Sequence, residues 1–533
     1  MKNVANKKNI SNDCAKIANK DSILKKAAQV GGSTMLSRVF GIIREIMLTN
    51  FLGVGAMSDA FIIAFKLPNS LRKIFAEGAL SAAMVPSVVE TIRKKNISSV
   101  NKLLTLSFLV FEGILLILCA FAMWKPSLVI MFCAPGFSAE KTIFCARLLR
   151  ILMPFVFFIS SSALLAGPLQ AIGHFFVPAI SPVLLNIVFI IGIFVCTAFG
   201  LPIEIFCFFI LFAGLLQLLL HLITYFRLGF SFEKYDKDTL KSFWHVIKKF
   251  IPCLFSMSVV EVSLFIDTSF GSYLPDGSVS LINYAERFMG IPLGVFGVAF
   301  ATILLPHFSK LTLYAPKRIK FYLLEATKLI FWIAIPAVLM MMFFSTEIFS
   351  TLFSKKFTIL QSQEAGSILI AYLFGVFFFS LNKILLNVFY SFHSMWTPTF
   401  ISIFGTGVNF CMNMLLVKMF LSVGLAMATT ISAIVQTCLY IIVLNKMFGV
   451  KFYLGKFVEF LLRYILQLSV IFTLIYFVYR AIYKLIGLFT GKLPNFLLFK
   501  LGFWLWVGPI CLFAFLLIYY TRKIFKVKLY FLD

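Results

Sequence analysis

The stretch STMLSRVFGIIREIMLTNFLGVGAMSDAFIIAFKLPNSLRKIFAEGALSAAMVPS, residues 33 to 87, is apolar enough to lie in a bilayer, yet it carries Arg38, Arg44, Glu45, Asp59, Lys66, Arg72, Lys73 and Glu77. A charge at mid-membrane costs about 2.5–3.5 kcal/mol on insertion scales, so such residues normally face a wet cavity and mark function. The rest of the chain must explain that cost.

The 533 residues are 61% hydrophobic and 13% charged, with mean hydropathy +0.98, which places them among polytopic all-α membrane proteins. Windows of about 20 apolar residues, enough to cross roughly 30 Å of hydrocarbon, recur about 14 times. Residues 1–26 are polar and basic with no apolar core, so they read as neither signal peptide nor span and are expected to stay in the cytoplasm. With an even number of spans, most Lys and Arg then fall on the same side, and the positive-inside rule directs both termini inward.

The net charge of +27 is accounted for by cytoplasmic loops such as residues 93–95 and the tail at 522–528 lying against anionic headgroups, and nucleic acid is not an expected partner. Sixty-six Phe residues read as lipid-facing surface or core filler. The ten Cys residues show no CxxC and no metal-ligand spacing. Cys133 and Cys145 could pair near the outer side, but small apolar filler is the stronger reading. A phosphate-binding glycine loop, HExxH and a nucleophile elbow are all absent, so neither an ATP-driven pump nor an enzyme is expected. The DKD at 236–238 resembles the acidic pair with which lipid-sugar transferases hold a metal; it sits in a charged linker and reads as solvated loop.

Six spans over residues 27–226 precede a cytoplasmic linker at 227–243, and six more occupy 244–447. The remainder, 448–533, holds two added spans and a basic tail. Both six-span lobes start on the cytoplasmic side, so they read as parallel repeats about the membrane normal, enclosing a central cavity. The second span of each lobe supports the pairing: SDAFIIAFKLPNSLRKIFAEGALSAAMVP and INYAERFMGIPLGVFGVAFATILLP share an early charge, a central proline (Pro68, Pro292) and a closing one (Pro86, Pro306). Interrupted spans at matching positions of two repeats point to a substrate site. His174 and His393, each shortly before a proline, read as interfacial turn residues.

Bases outnumber acids around these breaks. Arg38, Arg44, Lys66, Arg72, Lys73 and Arg287 stand against Glu45, Asp59, Glu77 and Glu286. Unpaired guanidinium groups in a dry interior would cost several kcal/mol each, so the surplus implies water and an anionic partner. The planar fork of arginine suits phosphate oxygens. Asp267, Asn409, Asn413 and Thr429 form a second set, of hard oxygen donors that suit Na+; bonding between neighbouring helices is the alternative role. No other cofactor is expected.

At SRVFGIIRE, SDAFIIAFKLPNSLRKIFAEGALSAAMVP, NYAERF and GVAFATILLP the chain resembles the bacterial lipid II flippases, the MurJ (MviN) family, over most of its length and in order. The resemblance implies a member of the multidrug/oligosaccharidyl-lipid/polysaccharide exporter superfamily, with two six-helix lobes and two C-terminal helices forming a groove for the lipid tail. It implies transport of lipid II, the undecaprenyl-diphosphate-linked peptidoglycan precursor, across the bacterial inner membrane, with membrane lipids and peptidoglycan-synthesis proteins as company. The family's cavity arginines fall on Arg38, Arg44, Arg72 and Arg287, and its second-span acid on Asp59. Glu77, Asn69, Lys66, Glu45 and Glu286 complete the expected substrate-binding set. Where some relatives have Asp, this chain has Glu45 and Glu286, which keep the charge. Thr268 replaces a basic residue of some relatives, and Asn413 stands where a sodium-binding relative can carry Asp. Rival readings are a flippase for another polyprenyl-linked oligosaccharide, a multidrug/cation antiporter, a membrane-embedded polyprenyl-phosphate transferase using DKD, and a non-transporting scaffold.

Overall fold

The computed structural model describes residues 20–74, 80–94, 96–294, 304, 307–309, 311, 312, 314–354, 356–392, 394–489 and 491–530, and among these it contains helices and no strand. Eighteen α-helices follow in chain order: α1 (Lys20–Leu52), α2 (Ala56–Leu71), α3 (Leu80–Lys94), α4 (Ile97–Trp124), α5 (Pro126–Cys133), α6 (Ala139–Leu152), α7 (Pro154–Ala171), α8 (Phe176–Phe199), α9 (Ile203–Arg227), α10 (Lys237–Gly271), α11 (Ser278–Pro292), α12 (Ile319–Phe343), α13 (Ser345–Leu352), α14 (Ile359–Ser391), α15 (Trp396–Phe448), α16 (Leu454–Gly487), α17 (Lys492–Phe499) and α18 (Phe503–Thr521). Among the described residues, ten helical stretches are long and apolar enough to cross a membrane. α1, α2 and α11 are not among them, because these hold the charges and the proline breaks singled out in the sequence.

The chain divides into two compact units, Met1–Tyr273 and Leu274–Asp533. In the first, α1 packs on α8, and α7 on α9. Phe61, Phe155, Phe189 and Phe206 are all buried, with Phe61 and Phe206 ring centroids 5.6 Å apart and Phe189 edge-on to Phe206 at 5.9 Å. In lipid the hydrophobic effect does not drive helices together, so such ring contacts and small polar bonds do that work. α10, which the sequence boundaries group with the second lobe, makes contacts within the first unit through Lys66, Ser70 and Lys73. That polar seam is why the contact boundary lies later in the chain than the charged linker.

α2 runs to a wide π-type turn at Arg72–Ile74, just past Pro68, and α11 to another at 293–294, just past Pro292. A proline removes one backbone donor and crowds the preceding turn, so the helix opens there. The closing Pro306 and Glu77 lie outside the described residues, as does His393.

In the second unit, the 53-residue α15 contains two of the expected spans, divided at Leu421 (φ 49°, ψ −128°). The side-chain pairs across it lie nearly symmetrically about that residue: Asn409 with Thr429 at 3.4 Å, Ser432 with the Gly405 carbonyl at 2.7 Å, and Ser402 with Tyr440 at 3.0 Å. The two arms therefore fold back on each other as a hairpin. Gly424 permits the turn, since a Cβ there would lie 2.4 Å from the Leu416 carbonyl oxygen. α16 and α18 are fastened to one another by the fully buried Gln467, whose Nε2 donates to the Ile518 carbonyl and to Thr521, each at 2.8 Å.

Candidate functional site

In the first unit the charges of the opening stretch spread over several helices. Arg44 donates from Nη1 to Asn186 Oδ1 on α8 at 2.9 Å, pairs with its neighbour Glu45, and lies 5.3 Å from the Phe189 ring centroid. Asn186 in turn donates from Nδ2 to the Ser37 carbonyl at 3.1 Å, so one α8 amide orients a turn of α1. Face-on contact with Phe189 adds a cation–π attraction worth about 0.5–2 kcal/mol. Arg38, nearly two turns earlier, is exposed, as are Leu36, Val39, Ile42 and Ile43 around it.

Arg72, in the widened turn after α2, donates from Nε and Nη2 to Asn69 Oδ1 at 3.1 and 2.9 Å. The Asn69 amide fixes the guanidinium plane. Lys66 reaches α10, where it donates to the Leu264 carbonyl at 2.8 Å and to Thr268. Ser70 and Lys73 both meet Glu261, Lys73 at 3.1 Å.

Asp59 is buried and meets Lys141 of α6 at 2.9 Å; Lys141 also stands 4.1 Å from the Phe137 ring centroid. The sequence reading sets Asp59 against the arginines, whereas the structure gives it a lysine 82 residues away. Three more residues escaped that reading. Glu261 and Asn186 are ordinary polar residues in long apolar helices. Lys383, partly buried in α14, shows no hydrogen bond or ion pair among the described residues; as a lone base in an apolar span, it was detectable.

In the second unit Arg287 donates from Nε to Asn283 Oδ1 at 3.3 Å, one turn back on α11, and Glu286 beside it is half-buried. Asn409 and Asn413 are fully buried, with Asn413 Nδ2 donating to Asn409 Oδ1 at 3.2 Å. Asp267 belongs to the first unit and Asn409, Asn413 and Thr429 to the second. Asn409 bonds Thr429 across the two arms of α15 and Asn413 within one arm, the helix-joining role that such polar side chains take in a membrane. An apolar cavity of about 430 Å³ opens between α12, α16 and α18, lined by Met340, Phe343, Phe472, Tyr476, Ile510 and Cys511.

Asp236 of the DKD triplet is a helix cap: its Oδ1 accepts from Thr239 N at 2.9 Å and its Oδ2 from Lys102 at 2.7 Å. The Lys102 ammonium and the Thr239 donors hold its carboxyl well below the usual carboxylate range. Glu233 is lowered too, first by Ser98 and then by Asn101 and Ser231. Cys133 and Cys145 are free thiols.

Apolar helices that carry basic groups inside them, two of them opened at prolines, define a polytopic helical membrane protein of the transporter class. The model of the family described as lipid II flippase MurJ matches residues 48–499, and the chain belongs to that family. It is 30% identical over 502 residues to the probable lipid II flippase MurJ of Buchnera aphidicola subsp. Acyrthosiphon pisum, covering 88% of this chain and 95% of that one. To the lipid II flippase MurJ of Burkholderia cenocepacia it is 31% identical over 441 residues, 80% and 84% of the two chains. Among solved structures, a lipid II flippase MurJ in an inward closed conformation aligns with TM-score 0.75 at 26% identity, covering 93% of this chain and 99% of that one. An inward-facing multidrug resistance MATE family transporter of the MOP superfamily aligns at 0.65 with 13% identity, covering 78% and 96%, and so shares the fold.

Proposed function

We propose that the protein moves lipid II from the inner to the outer leaflet of the bacterial cytoplasmic membrane by alternating access, with both termini in the cytoplasm. No bond is made or broken in this process. Arg38, Arg44, Arg72 and Arg287 bind the diphosphate, whose oxygens match the donor geometry of guanidinium groups. The observation that carries the reading is Arg72, planted in an opened helix turn and oriented by the neutral Asn69. Asn69 plays the same part for Arg72 that Asn186 plays for Arg44, which shares its charge with Glu45. Both amides hold an arginine's guanidinium plane in place.

Asp59, Lys66 and Lys73 fasten helices of the first unit, and the polyprenyl tail stays in lipid beside α16 and α18, where the apolar cavity supports the reading. A drug antiporter would need an acidic or aromatic cavity in place of these bases. The test is the accessibility of the precursor at the outer leaflet after depletion of a host's own flippase and complementation with this chain. Restored accessibility is expected; its absence with the protein present in the membrane refutes the reading.

A further inference from the structure

Near the midpoint of α4, Glu112 keeps 2% of its surface exposed, and neither carboxyl oxygen has a hydrogen-bond partner among the described residues. α7 packs against α4 and brings Ser160 and Ser161, both fully buried, within interacting reach of that carboxyl. Serines in these helices usually donate to the carbonyl four residues back, as Ser162 does to Phe158 and Ser87 to Ala83, each at 2.8 Å. Ser160 and Ser161 do not: their hydroxyls are without partners among the described residues. Two hydroxyls and a carboxyl are thus buried together, with hydrogen-bonding capacity left over.

Among the described residues the surroundings supply no counter-charge. α7 carries no ionisable side chain. Glu90 and Arg93 on α3, Cys133 on α5, and Glu140, Lys141, Cys145, Arg147 and Arg150 on α6 make no ion pair or hydrogen bond with Glu112 among the described residues. The same holds for Lys237, Asp238, Lys241, His245, Lys248, Lys249, Cys253, Glu261 and Asp267 on α10. Cys119, two turns along α4, is in electrostatic range and donates to the Met153 carbonyl. An isolated carboxylate in such a place costs several kcal/mol and takes up a proton instead. An apolar side chain of similar size would pack as well at no such cost, so an intramembrane acid points to a role.

We propose that Glu112, with Ser160 and Ser161, is a single-proton binding site inside the first unit, filled in this conformation and emptied in another conformation of the transport cycle. Filling forms one O–H bond on a carboxylate oxygen as one O–H bond of a hydronium ion breaks; emptying returns that proton to water, and the two serine hydroxyls then donate to the carboxylate. The second half of the proposal rests on the transport reading, and the first half does not.

Infrared difference spectroscopy of the purified full chain across a pH titration tests the first half. Wild type at neutral pH is expected to show a protonated-carboxyl C=O band that titrates away in alkali and is missing from Glu112→Gln; Glu112→Asp keeps a titrating band. In proteoliposomes carrying lipid II, Glu112→Gln fixes the neutral form, so flipping falls roughly tenfold or more and its pH dependence is lost, because one state has been removed from the cycle. Thermal unfolding of each variant confirms that it folds. Identical bands in wild type and Glu112→Gln overturn the proposal, as does wild-type flipping with a wild-type pH profile in Glu112→Gln. A band that shifts with sodium at constant pH overturns the proton assignment. If wild type flips no lipid II, the transport reading fails, and the infrared titration alone decides the site.

Discussion

Asp59 and Lys141 are both buried, and removing either takes a charged partner from the other in a low-dielectric interior. Lys141→Met is therefore expected to cost about 3–5 kcal/mol, while Asp59→Leu combined with Lys141→Met recovers most of that loss; thermal unfolding in detergent measures both. Arg44 depends on a different kind of support. Arg44→Ala is expected to abolish transport with membrane insertion intact, and Asn186→Ala to weaken transport with the guanidinium still present, both read by outer-leaflet accessibility of lipid II. The cations of the first two spans were legible because a base is conspicuous in apolar sequence. Their partners were not: Asn186 and Glu261 lie far along the chain, as does Lys141, the partner of Asp59, and nothing local distinguishes a polar residue that reaches a charge in another helix from one that bonds its own helix.

At the scale of elements, the hairpin in α15 turns on Gly424, beside a backbone oxygen that cannot move aside cheaply. Gly424→Val is expected to destabilise the second unit by about 1–3 kcal/mol, visible in thermal unfolding. The segment ahead of α10 is anchored to the start of α4 by Glu233 and Asp236, whose carboxyls are held below their ordinary range on folding. A depressed folded value means that the anchor contributes fully above the ordinary carboxylate range and is lost as pH falls through the lowered one. Amide-exchange protection of residues 228–236 should accordingly hold at neutral pH and decline only in strong acid, and Lys102→Ala should shift that decline to higher pH. Periodic apolar windows revealed these helices, and proline positions their breaks. The sharpness of the turn at Leu421 was hidden, since neither Leu421 nor its neighbours carry a proline or a turn dipeptide.

For the whole molecule, direction is expected from outside, as the sequence shows no nucleotide-binding glycine loop. Moving one charge through 100 mV is worth about 2.3 kcal/mol, so an inside-negative membrane favours outward passage of an anionic headgroup and inward return of the basic side chains once it has left. Collapsing the potential in energised vesicles is expected to slow flipping, and undiminished transport would refute the electrical drive. The helical class was readable from hydropathy alone. How contacts divide the chain was not, because α10 is bound to the first unit by side chains reaching across some 190 residues. The abrupt reversal at Leu421 also bears on biogenesis: with no loop between its arms, α15 must enter the bilayer as one preformed pair, and a reporter fused at that tip would report on a damaged insertion intermediate in place of native topology.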